Sequence, residues 1–114
     1  MSDYTDHLRD VFERFGPITA RRMFGGYGIY HDGLMFALVA DEMLYLKADN
    51  ENVGDFVQEG LGPFEYEKGG KFVQLSYYQA PEAVFEDDEL AATWARRSFE
   101  AALRAQAGKR RTRN

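Results

Sequence analysis

The sequence predicts an α+β fold of two layers, an antiparallel β-sheet of five or six strands (a meander plus a hairpin) packed with three main helices. Three observations predict it. Apolar residues follow helical spacing at both ends of the chain and alternate in between. Gly16-Pro17 and Ala80-Pro81 mark where the period changes. Asp32-Gly33 sits between two strand-like runs as a type I′ hairpin turn.

Taken in order, Asp3 suits the N-cap of a first helix, and Tyr4, Leu8, Val11, Phe12 and Phe15 define its apolar face. Ile18–Phe24, Tyr27–His31, Leu34–Ala40 and Met43–Ala48 read as four strands, the last two joined by a weaker turn at Asp41-Glu42. Asp49 or Asn50 caps a short helix through Val53, Phe56 and Val57 that Gly60 ends. Leu61-Gly62-Pro63 is a loop. Phe64–Tyr66 and Phe72–Tyr78 form a hairpin about Lys68-Gly69-Gly70. Asp87 or Asp88 starts a last helix that runs to about Gln106 and ends near Gly108. Leu90, Ala91, Trp94, Ala95, Ser98, Ala101 and Ala102 make its packing stripe, whose small residues let it approach the sheet closely, with Trp94 supplying most of the buried area.

The chain has 114 residues, one domain's worth, with 45% hydrophobic and 15% aromatic residues. Residues 4–107 are expected to form the domain and 108–114 a basic, disordered tail. The chain has no cysteine, which excludes disulfides and thiolate metal sites and fits a reducing cytoplasm. The acidic start is not a secretory signal, and no apolar run reaches the ~20 residues of a membrane span. The net charge of −5 is uneven: residues 104–114 hold five bases and no acid, and the remainder holds 9 bases against 19 acids. The body should repel nucleic acid and only the tail attract it.

In the third strand Leu34, Phe36 and Leu38 should point to one face and Met35, Ala37 and Val39 to the other. Leu44 and Leu46 likewise oppose Met43 and Tyr45 in the fourth. Both sheet faces are then apolar, so the second is covered by a helix or by another chain, and a C₂ homodimer is the simplest such solution.

Arg21-Arg22-Met23-Phe24-Gly25-Gly26-Tyr27-Gly28 stands out as a sheet deformation or a contact site. Its glycines match no phosphate-loop spacing and precede a strand, so a β-bulge is the stronger reading. Arg21 and Arg22 read as edge-strand charges that solubilise the sheet or pair with Glu13, Asp32 or Glu42, or as contacts to phosphate or an acidic partner. His7 and His31 have no metal-ligand spacing, so no metal and no cofactor is expected. An enzyme site about His31 with Tyr77 or Tyr78 is the weakest of three functional readings. Weak nucleic-acid binding through Lys109, Arg110, Arg111 and Arg113, helped by Arg21 and Arg22, is the second.

The leading reading comes from a resemblance. Arg22-Met23-Phe24-Gly25-Gly26 with Gly28, then Gly33, Phe36-Ala37-Leu38-Val39, Leu44-Tyr45-Leu46-Lys47, Pro63-Phe64-Glu65-Tyr66, Leu75-Ser76-Tyr77-Tyr78 before Pro81, and a final helix with Trp94 resemble the TfoX N-terminal domain (TfoX/Sxy-like) family over roughly residues 5–104. The resemblance implies a cytoplasmic bacterial domain that regulates DNA-uptake competence without catalysis, through an unidentified protein partner in the transcription machinery. It implies no catalytic or cofactor residue. Full-length regulators of the family carry a second, helical domain, so the chain reads as a single-domain member. Arg21, Arg22, Phe24, Gly25 and Gly26 are the candidate partner contacts.

Overall fold

Asp3–Val11 forms helix α1, with Thr5, Leu8 and Val11 buried. The helix ends sooner than the sequence suggested: Phe12 is fully buried just beyond it, and Phe15 packs on the same core from the turn that follows. Asp3 is the first helical residue rather than the cap, where its charge complements the helix dipole. The computed structural model describes the backbone of residues 3–23 and 25–112 and, of these, the side chains through Lys109. Phe24 and Arg113, and the side chains of Arg110 and Arg111, lie outside the described residues.

After the chain turns at Gly16, whose N–H donates to the Phe12 carbonyl at 3.0 Å, six strands follow. They are β1 (Thr19–Met23), β2 (Gly26–His31), β3 (Leu34–Ala40), β4 (Met43–Lys47), β5 (Pro63–Lys68) and β6 (Lys71–Gln79). Every pairing is antiparallel, in the order β1-β2-β3-β4-β6-β5. The Asp32-Gly33 turn has both residues at positive φ, as type I′ requires, and so does Asp41-Glu42.

The short helix α2 (Val53–Gln58) starts later than the sequence suggested. Asp49 is occupied in a turn, where its Oδ1 accepts from the N–H groups of Glu51 and Asn52. A 3₁₀ turn at Glu82–Phe85 leads into helix α3 (Asp88–Thr112). Asp87 caps α3, its Oδ1 accepting from the N–H groups of Glu89 and Leu90 at 3.0 and 3.1 Å. The helix does not end near Gly108. It runs on to Thr112 and takes the first part of the basic 108–114 segment with it, because lysine and arginine are good helix formers and suit the negative end of the dipole.

Two expectations about the strands are corrected. The first concerns β3. Ile29 pairs with Ala37 while Tyr30 pairs with Met35, which leaves Phe36 as an extra residue. This β-bulge interrupts the alternation. Phe36, Ala37 and Val39 all pack in the helix-side core, whereas Met35, Leu38 and Ala40 belong to a separate cluster. Phe36 therefore does not share a face with Leu38. The second concerns the glycines, which were expected to form the bulge themselves. The β1–β2 register runs unbroken from Thr19↔Tyr30 to Met23↔Gly26. Gly26 instead lies so close to the Val39 carbonyl that a Cβ could not fit. A Cβ on Gly28 would meet Met23 Sδ at 2.7 Å and Met35 Sδ at 2.9 Å. Both glycines allow close approach within the sheet.

All three helices cover one face. Leu8, Phe12, Ile29, Phe36, Leu46 and Phe56 are buried there with Val84, Ala91, Trp94 and Ala95. Trp94 is 6% exposed and meets the Phe56 ring edge-on at 5.1 Å.

Candidate functional site

The face of the sheet turned away from the helices is the feature that calls for a function. Leu38, Phe64 and Tyr77 form its centre, and Met35, Tyr45, Tyr66 and Leu75 pack around them. Residues directly opposite in an antiparallel pair share a face. Arg21↔Gly28↔Leu38 therefore puts Arg21 on this face, Lys47↔Tyr77 puts Lys47 there, and Lys68↔Lys71, two steps from Tyr66↔Val73, puts both lysines there. The described strands hold only two carboxylates, Glu65 and Glu67, and both alternate to the helix side. Among the described strand residues the open face thus joins an aromatic centre to four cations and no carboxylate.

Its rings are engaged with one another. Tyr45 meets Phe64 edge-on at 4.9 Å, and Phe64 and Tyr66 lie stacked at 6.0 Å. The Tyr77 hydroxyl donates to the Met35 carbonyl at 3.4 Å, and burial, with Tyr30 adding, pushes its pKa up to about 12. The Lys47 ammonium lies 5.1 Å from the Tyr77 ring centre, and the Arg21 guanidinium 4.9 Å from that of Tyr30. Burial pulls Lys47 below the ordinary lysine pKa. Lys109 of α3 pulls it further and Asp49 opposes.

Arg22, Gly25 and Gly26 line one surface depression with Met23 and Tyr27, and the other residues singled out from the sequence do not join them. Arg21 and Arg22 are both exposed on edge strand β1 and point to opposite faces. Among the described residues neither has a carboxylate within 4 Å, so the expected pairing with Glu13, Asp32 or Glu42 is not made. Exposed Gly25 lies in the connection from β1 to β2, and half-buried Gly26 is the first residue of β2.

The residues of the enzyme reading are separated. His31 lies on the helix side between Phe15 and Phe99, at ring distances of 4.5 and 4.9 Å, and its Nδ1 donates to the Pro17 carbonyl at 2.7 Å. Tyr78 also faces the helices, against Phe56, while Tyr77 is on the open face. His31 fixes the β2–β3 hairpin to the end of α1. His7 stacks on Phe85 elsewhere. In the β5–β6 hairpin Phe72 is 76% exposed near the tip.

Sequence reasoning missed Lys47, Lys68, Lys71 and Tyr30 as members of one surface. The signal was present as period-two parity in Tyr45-Leu46-Lys47 and Tyr66-Glu67-Lys68, but the order of the strands is needed to join them.

Comparison with known proteins agrees with the fold and its signature strings. Residues 10–102 match the TfoX N-terminal domain. The chain is 31% identical over 96 residues to Protein Sxy of Escherichia coli K12, covering 84% of this chain and 46% of that protein. It is 28% identical over 82 residues to DNA transformation protein TfoX1 of Aliivibrio fischeri, covering 72% of this chain and 39% of that protein. The chain therefore spans less than half the length of these curated relatives. The match over most of its residues makes it a member of the TfoX N-terminal domain family.

Proposed function

We propose that this domain is a non-enzymatic regulatory module of the bacterial cytoplasm that acts on DNA-uptake competence through contact with another protein. The observation that carries the reading is the sheet face without helices, whose apolar centre is ringed by cations. Leu38, Phe64 and Tyr77 are themselves buried, and the partly exposed Met35, Tyr45, Tyr66 and Leu75 around them are the apolar surface a partner would cover. Kinship with a protein named for DNA transformation supplies the process. The separation of His31 and Tyr78 from Tyr77 supports a binding role over a catalytic one.

The test is genetic. Deleting the gene in its own bacterium should lower transformation frequency and the transcripts of DNA-uptake genes, and the intact chain supplied in trans should restore both. Unchanged transformation and transcripts in the deletion strain would refute the reading.

A further inference from the structure

We infer that the open face of the sheet docks an acidic, amphipathic segment of a partner protein. The inference rests on the protein-contact reading above and adds the chemistry of the partner.

Charge complementarity carries it. The chain holds 19 acids against 14 bases, yet four of the five bases in the strands (Arg21, Lys47, Lys68 and Lys71) are on this face and both strand carboxylates are on the other. Solvation places charged side chains on an uncovered sheet face but does not select their sign, and in a chain richer in acids than bases the sign here is uniformly positive. Lys68 and Lys71 stand directly opposite each other, a pairing that destabilises the hairpin unless an anion lies between them. Lys47, partly withdrawn from water and repelled by Lys109, gains more from a carboxylate than a fully solvated lysine would.

The size of the face suits a single segment. Six strands about 4.8 Å apart, with about six residues each, give a face of roughly 25 by 20 Å. A helix of about 15 residues is ~22 Å long and fits across it.

The two other occupants are less suited. A second copy docked face to face about a two-fold axis would bring this cationic face against itself. Single-stranded nucleic acid needs exposed ring faces to stack upon. Phe64 and Tyr77 are each only 8% exposed, and Tyr45 meets Phe64 edge-on.

The test titrates three probes into the isotope-labelled full chain and follows backbone amide shifts. One is a synthetic helical peptide of about 15 residues with glutamate on one face and leucine and phenylalanine on the other. The second replaces its glutamates by lysine. The third is an oligodeoxythymidine of about 20 nucleotides. The acidic peptide should shift Leu38, Tyr45 and Leu75 saturably, and the lysine peptide should leave them in place. The Arg21→Glu/Lys68→Glu double variant should bind the acidic peptide about tenfold more weakly. Its melting temperature should not fall, because glutamate opposite Lys71 turns a like-charge pair into an attractive one.

No saturable shift, or an equal response to the lysine peptide, overturns the inference. Tighter binding of the oligonucleotide with a steep salt dependence would reassign the face to nucleic acid. Concentration-dependent shifts of the same amides without any probe, together with a dimer in sedimentation equilibrium, would reassign it to a second copy. The double variant also goes into the deletion strain. If it restores transformation fully, the docking face is wrong and the regulatory reading stands. If deletion itself has no effect, the regulatory reading fails whatever the peptide does.

Discussion

Ser98 is fully buried on the sheet side of α3, and its hydroxyl has no hydrogen-bond partner among the described residues. Its small volume matters there and its polarity does not, since a buried hydroxyl without a partner loses its hydration for no return. Ser98→Ala should therefore raise the unfolding free energy by about 1 kcal/mol, measured by urea denaturation. A loss of similar size would mean that the hydroxyl is bonded after all. Trp94 is the opposite case. Its ring fills the space between α3 and α2 against Phe56, and the Arg97 guanidinium lies over it at 5.7 Å. Trp94→Ala should cost on the order of 3–5 kcal/mol, and a change under about 1 kcal/mol would contradict its place in the core.

At the scale of elements, α3 has two kinds of attachment. Its first half is packed against β3 and β4 through Ala91, Trp94, Ala95 and Ser98. Its second half is tied to the β4–α2 connection by Arg104, which donates through its Nε to Asp49 Oδ2 at 2.6 Å and through a second nitrogen to Asp49 Oδ1 at 3.0 Å. Glu51 adds a contact at 3.1 Å. Beyond Arg104 the residues from Ala107 to Lys109 are exposed although helical. Removing residues 108–114 should therefore shift the melting temperature by less than about 3 °C. A larger drop would show that the end of α3 is docked. The same truncation removes Lys109 and should raise the Lys47 pKa toward its ordinary value.

At the scale of the whole molecule, the Asp49–Arg104 pair links the longest helix to the sheet and makes stability depend on pH. The hydrogen bonds from Arg104 hold the Asp49 carboxyl below its ordinary pKa, and burial opposes them in part. A carboxylate depressed in the folded state contributes stability that is complete above its unfolded pKa of about 3.9 and is lost as the pH falls through the folded value. The melting temperature should thus be level from pH 7 to about pH 5 and fall below about pH 4. Asp49→Asn should start lower at neutral pH and lose less on acidification. Both partners keep some exposure, so the cost at neutral pH should be on the order of 1 kcal/mol. An identical acid profile in the variant would remove Asp49 from the account.

How much of this was legible from the chain follows from which interactions are local. The Gly16 and Ala80-Pro81 breaks, the Asp32-Gly33 turn, the two helical stripes and the strand runs are properties of a few neighbouring residues. The sequence by itself determined the element order, the antiparallel pairing and, through the Arg22–Gly26 string, the family. It did not determine that Phe36 leaves the alternation, because a bulge arises from the fit between β2 and β3 under the helices. Nor did it determine that His31 and Tyr77 lie on opposite sides of the sheet, or that Arg104 reaches Asp49, 55 residues away. The cationic open face is likewise tertiary. Arg21, Lys47, Lys68 and Lys71 lie on four strands that become one surface only when β6 pairs with β4, and the bulge at Phe36 decides which face Leu38 shares with them.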